Sequence, residues 1–220
     1  MEILDWDEYC NLEKVKYFES QKKTVYKENL RVFGVGINDV DFKVVLPING
    51  KPQSPASYST WKNMLSRCYN PQYHEKFPTY IGCSVSDEWK YFSNFNEWWK
   101  ENYTEGYVLD KDIIDPNNKT YSKDTCIFIP AWLNGFVTTR QNRRGKYLLG
   151  VSWRKDLGKY MATCCVNGTN KNLGYFACEK EAHVAWKKFK LSLVEDMKQE
   201  LDAIHLDLYV SVLNKVESLC

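Results

Sequence analysis

The chain has 220 residues, a formal net charge of +2, and 44% hydrophobic and 15% aromatic residues, enough apolar matter for one or two folded domains, which excludes a disordered protein. Its N-terminus, MEILDWDEYC, is acidic and lacks the apolar stretch of a secretory signal, and no apolar run long enough to span a membrane is present, so a cytoplasmic protein is expected. The eight cysteines are then expected as reduced thiols, buried or metal-bound.

The charges are segregated along the chain. Residues 1–136 hold 16 Lys and Arg against 19 Asp and Glu, residues 137–190 hold 12 against 3, and residues 191–220 hold 2 against 6. A local excess of nine positive charges is the footprint of a phosphate-binding surface.

Residues 1–57 are expected to form an N-terminal arm with short strands. The run Glu19 to Lys27 reads as a short helix or an arm, and Arg31 to Leu46 as two short strands around Gly36-Ile37-Asn38-Asp39. Gly34-Val35-Gly36 is not followed by a helix, so it is a weak signal for a phosphate loop. Pro47 to Ser57 has the composition of a loop.

Residues 58–137 form the next block. Ser59-Thr60 can cap a helix running through Trp61, Met64 and Leu65 to Cys68, with Asn70-Pro71 ending it. A second helix is expected from Ser86 to about Tyr103, where Trp89, Phe92, Phe95, Trp98 and Trp99 recur at helical spacing as a core stripe. Val108 to Ile114 reads as a strand, Asp115 to Asn118 as a turn, Cys126 to Ile129 as a strand, and Ala131 to Val137 as a helix.

Strand, turn, strand, helix is the order of a ββα-metal nuclease motif. The stretch Trp61 to Arg144 resembles phage-encoded HNH-type proteins. The resemblance rests on Trp61 with Met64, Arg67 to Pro71, Cys83 with Glu88-Trp89 and Phe92, Leu109-Asp110, Tyr121-Ser122, Asp124 with Cys126, and Asn134. It implies phosphodiester cleavage with Mg or Mn, with Asp110 at the acidic position and Asn134 as a metal ligand on the helix. The general-base position, normally His, is Lys111. A lysine, with an ordinary pKa near ~10.4, accepts a proton at neutral pH only if strongly desolvated.

Three readings stay open: a degenerate nuclease kept as a DNA-positioning fold, a rearranged site with Asp110, Asp112 or Asp115 on Mg²⁺ and Lys111 on the phosphate, or solvated turn residues. His74 is the one candidate for a base recruited from elsewhere, although a satisfied loop histidine is the plainer reading. Cys68, His74, Cys83 and Cys126 have the ligand types for tetrahedral zinc but no CxxC pair, and buried free thiols are the alternative.

Residues 138–149 form a basic linker in which Arg140, Arg143, Arg144 and Lys146 are placed to contact phosphates. Residues 150–220 form the last module. Gly150 to Arg154, Tyr160 to Val166 and Lys171 to Phe176 read as a three-stranded meander, with a hairpin turn at Asn167-Gly168. Tyr160, Ala162, Cys164 and Val166 are the inward set. Ser152, Arg154, Met161, Thr163, Cys165 and Asn172 are left on an open face, bordered by Lys155, Lys159 and Lys171.

This module resembles the apetala-two (ethylene-response-factor) DNA-binding domain in Gly150-Val151, Gly158 to Tyr160, Ala162, Leu173 to Phe176 and the helix start Glu179 to Ala185. The resemblance implies a sheet that enters the major groove of duplex DNA. Ser152, Cys165 and Asn172 stand where the plant domains read bases, so their sequence preference does not carry over. From Trp186 to Val212 an apolar residue recurs every three or four positions without Pro or Gly. One long helix is therefore expected, with its acidic distal half available to pack on the N-terminal block or to pair with another copy as a homodimer.

The expected fold is α+β, an HNH-like block followed by a three-stranded antiparallel sheet packed on a long C-terminal helix. The expected partner is double-stranded DNA, in the host cytoplasm if the gene is phage-borne. The alternative is a catalytically inactive protein that binds a host protein.

Overall fold

The computed structural model describes residues 6, 9–23, 31–137, 146–166 and 168–219. It divides into two compact units, Met1–Pro130 and Ala131–Cys220. The division falls seven residues before the end of the predicted block at Val137, so the helix following the second strand belongs to the second unit.

In the first unit, helix α1 (Asn11–Ser20) buries Val15 and Phe18, three residues apart on one face. The Glu13 carboxylate accepts a hydrogen bond from the Cys10 amide at 2.9 Å and satisfies one donor at the helix start. A helix is thus found ahead of the run Glu19 to Lys27, where the apolar spacing that a core selects sits in residues 12–18, and residues 24–27 of that run lie outside the described residues. Pro47 to Ser57 also departs from expectation. It contains an antiparallel hairpin, β1 (Leu46–Ile48) with β2 (Lys51–Gln53), and opens α2. Asn49 and Gly50 both take positive φ, 51° and 74°, the turn that Asn-Gly favours.

Helix α2 (Ala56–Tyr69) starts three residues ahead of the predicted cap, after Pro55. Asn70 then ends α2 and begins α3 (Pro71–Lys76), its side chain accepting from the Gln72 amide at 3.0 Å. Strand β3 (Ser84–Val85) precedes a 3-10 turn at Glu88–Lys90 and helix α4 (Phe92–Asn102). Strand β4 (Tyr107–Asp110) pairs antiparallel with β6 (Ile127–Pro130), and β5 (Thr120–Tyr121) pairs parallel with β3.

The helix expected from Ser86 begins only at Phe92, with Trp89 in the preceding 3-10 turn, but the aromatic stripe is core, as its spacing predicts. Trp61, Trp89 and Trp99 are fully buried, and the Trp61 indole donates to the Trp89 carbonyl at 2.7 Å. Each such side chain removes an area worth roughly 4–6 kcal/mol of transfer free energy, so these rings fix how α2 and α4 pack.

The second unit opens with α5 (Ala131–Val137), which packs on its last helix. Strands β7 (Val151–Arg154), β8 (Lys159–Val166) and β9 (Thr169–Phe176) form an antiparallel sheet in that order. Ala162 and Cys164 are buried against Ala182 and Trp186 of α6 (Glu179–Asp196), so the inward set is the one alternation predicts.

The C-terminal region is not one long helix. It breaks at Met197 and again at His205, giving α7 (Lys198–Ile204) and α8 (Leu208–Glu217), and α8 folds back on α6 and α7. No Pro or Gly causes the breaks. A straight helix from residue 179 to 212 would run about 50 Å and leave its distal stripe in water. Folding back buries Val194, Leu201, Leu208, Val212 and Val216 completely. The stripe that gave reason to expect a helix-mediated homodimer is thus consumed inside the unit. No helix among the described residues is long and apolar enough to cross a membrane.

Candidate nucleic-acid interface

The sheet of the second unit is held rigidly from the α6 side. The Leu148 amide donates to the Glu179 carboxylate at 2.6 Å. The His183 ring nitrogen Nδ1 lies 2.9 Å from the Leu149 carbonyl, and the ring stacks on Trp186. Gly150, with φ +75°, lies flat on that indole, and a β-carbon there would come within 2.1 Å of it. The segment 146–149, assigned by composition to the linker, therefore joins the module, with Tyr147 edge-on to Tyr160.

The register places the predicted open-face residues together. Ser152 pairs with Met161 and Met161 with Tyr175, Arg154 pairs with Lys159, Thr163 with Asn172, and Cys165 with Asn170. Paired residues project from the same face, so all of these share the side opposite α6. Lys155 and Lys159 are exposed, as is Lys146. Tyr175, 40% exposed, adds an aromatic absent from the expected set, although strict alternation from Phe176 would have found it.

Two basic residues behave differently from expectation. Arg154 is clamped by Asp156 through Nε to Oδ1 at 3.0 Å and Nη2 to Oδ2 at 2.8 Å, a bidentate pair that neutralises its charge locally. Lys171 does not border the open face. It pairs with Cys164 on the inward side, and its ammonium sits 4.6 Å from the Phe189 ring centroid of α6. The cause is a bulge between Ala162 and Thr163, where Leu173 is the extra residue. Leu173 stays with the core while Asn172 keeps the open face. Arg140, Arg143 and Arg144 lie outside the described residues.

The predicted nuclease loop belongs to the first unit. Asp110 Oδ1 accepts from the Asp112 and Ile113 amides at 3.0 and 2.7 Å, and Asp115 Oδ1 from the Asn117 amide at 2.9 Å. These are turn-forming contacts. Asn118 ties the loop shut, donating to the carbonyls of Lys111 and Thr120.

Lys111 is only 6% exposed. Its ammonium contacts Asp112 Oδ2 at 3.0 Å and the Asn118 carbonyl at 3.2 Å. Burial pulls its pKa down, but the hydrogen bond and charge of Asp112, with Cys83 and Asp110 behind, outweigh it and leave the pKa above the ordinary lysine value. The desolvation that would make Lys111 a base is overcome, so its amine stays protonated and cannot take a proton from water.

Asn134 is exposed on α5 of the second unit, whereas Asp110 belongs to the first. Cys68, Cys83 and Cys126 are buried near Lys111. Burial, reinforced by neighbouring thiols, pushes Cys68 up to about 12, and burial likewise pushes Cys126 up to about 12. His74 Nε2 lies 2.8 Å from the Arg67 carbonyl. Among the described residues no three His, Cys, Asp or Glu side chains are grouped so as to hold a metal ion.

No family model matches this chain, and no curated protein and no solved structure matches it either.

Proposed function

We propose that the second unit binds duplex DNA through the face of β7, β8 and β9 turned away from α6. The observation that supports this most is the register. It gathers Ser152, Arg154, Lys159, Met161, Thr163, Asn172 and Tyr175 on one face of a sheet whose other face is pinned to a helix. A twisted antiparallel sheet of this size fits a major groove, and the 12 Lys and Arg against 3 Asp and Glu in residues 137–190 supply the phosphate attraction. Lys155, Lys159 and Lys146 contact the backbone, while Thr163, Asn172 and Ser152 face base edges.

The protonated Lys111 removes the general-base route, and cleavage through a rearranged site, with Asp110, Asp112 or Asp115 on the metal and Lys111 on the phosphate, is a separate question that the nicking assay below decides. The HNH-like block is read as a fold retained in the same chain as the binding module.

The test is duplex binding by fluorescence anisotropy across a salt series. Affinity should fall with salt, and Lys155→Ala with Lys159→Ala should reduce the log–log slope by about 2, one unit for each phosphate no longer neutralised. Binding that ignores salt, or that survives joint neutralisation of Arg143, Arg144 and Arg154 unchanged, refutes the proposal. A plasmid-nicking assay with Mg²⁺ or Mn²⁺ addresses the first unit separately; nicking abolished by Asp110→Ala would restore the nuclease reading.

A further inference from the structure

Between α5, the turn end of the β8–β9 hairpin and α6, the second unit carries a partly open cavity of about 580 Å³. Its walls are largely aromatic and aliphatic, including Trp132, Phe136, Trp186, Leu193 and Met197. Among the described residues, Lys190 is the cation that lines it. The Lys190 ammonium donates to the Phe136 carbonyl at 2.7 Å and lies 4.5 Å from the Phe136 and 5.2 Å from the Trp186 ring centroids. Asp196 also lines the cavity but is exposed, and no carboxylate among the described residues forms an ion pair with Lys190.

A lysine ammonium carries three donors, and one carbonyl uses one of them. Two ring faces offset part of the charge but accept no conventional hydrogen bond. Lys190 is half-buried, and desolvation moves its amine below the ordinary lysine value, the direction expected where the charge is not offset by a counter-ion. The cavity size is that of a small-molecule site.

We propose that this cavity binds a small aromatic carboxylate, with its ring packed against the wall formed by Trp132 and Phe136 and its carboxylate on Lys190 Nζ. The anion supplies the missing counter-charge, and the rings supply the apolar surface. The site does not depend on DNA binding. It lies on the α6 side of the sheet and would stand if the open face bound nothing.

The experiment uses the full chain with 2-naphthoate and, as its neutral counterpart, 2-naphthalenemethanol, read by calorimetry. Naphthoate should bind one to one, and the alcohol at least about tenfold more weakly, as expected when a charge-assisted hydrogen bond is replaced by a neutral one. Lys190→Met keeps the apolar stem and removes the charge, so it should bring the two ligands to similar affinity. Trp132→Ala, at an exposed wall position (46% exposed), should weaken both ligands without disturbing the fold, and so serves if Lys190→Met fails to fold. Absence of saturable naphthoate binding, equal binding of the two ligands by the parent chain, a preference that survives Lys190→Met, or unchanged binding in Trp132→Ala would each overturn the proposal.

Discussion

Replacing Gly150 with alanine tests the seating of the sheet on α6. Two costs add at this position. The backbone sits at φ +75°, where an L-residue pays about 1–2 kcal/mol. The new β-carbon would also approach Trp186 to within 2.1 Å, and Trp186 is 6% exposed with His183 stacked on it, so the indole cannot swing away without unpacking the module. Overpacking of this kind costs about 1–3 kcal/mol. The total is about 2–5 kcal/mol.

Gly158→Ala is the control. Its φ is +57° but nothing lies within 4 Å of a β-carbon there, so only the backbone cost applies, about 1–2 kcal/mol. Urea unfolding of both variants, followed through amide exchange or tryptophan fluorescence of the second unit, gives the difference. A Gly150→Ala loss no larger than that of Gly158→Ala would show that the indole does not hold the strand. Duplex affinity should fall with the fraction of unit unfolded.

Other outcomes follow from the same geometry. Cys68 and Cys126 have folded pKa values of about 12, above the ordinary thiol value near ~8.5. Their contribution to the first unit is therefore complete below ~8.5 and declines as pH rises from there towards 12, at about 1.4 kcal/mol per pH unit per thiol. Urea midpoints at three alkaline pH values should drop accordingly, and Cys126→Ala should flatten the slope; a flat profile in the parent chain contradicts the buried placement. Lys111→Met takes the ammonium away from Asp112, which at 43% side-chain exposure recovers much of its hydration. The destabilisation should be about 1–2 kcal/mol, well short of the cost for a fully buried pair, and a stabilised variant would refute the ion pair. Asp156→Asn frees Arg154 from its clamp and should tighten duplex binding while steepening its salt dependence by about 1; unchanged binding would remove Arg154 from the interface. In native alkylation mapping, Cys10, Cys165 and Cys178 should react at least about tenfold faster than Cys68, Cys83, Cys126 and Cys164.

Much of this architecture is legible in residue spacing. The buried aromatic stripe and the inward face of β8 appear where periodicity places them, because burial is what periodicity encodes, whereas the helix expected from Ser86 begins at Phe92 and the strand expected through Ile114 ends at Asp110. Asn49-Gly50 is legible too, but the surrounding prolines and serines mask a hairpin as a loop. What spacing does not carry is the matching of lengths across strands. The extra residue Leu173 inverts the direction of Lys171, and nothing local to Lys171 announces it. The breaks at Met197 and His205 are equally silent, since each residue there tolerates a helix and only the gain from folding α8 onto α6 selects the break. The protonated state of Lys111 depends on Asp112 and the Asn118 carbonyl converging on its amine, which no local pattern encodes. The Lys190 cavity has no sequence signature, being assembled from α5, a hairpin end and α6.

The bulge at Leu173 has a further consequence for how this sheet can vary. The end of β9 near Phe176 takes its phase from packing on α6, and the end near Gly168 takes its phase from the turn. The bulge is the joint where those two phases are reconciled. A residue added or removed on the turn side is absorbed there, changing the reach of the hairpin tip without rotating Met161 or Tyr175 off their face. The surface can therefore be reshaped by length alone, with its anchored half left untouched.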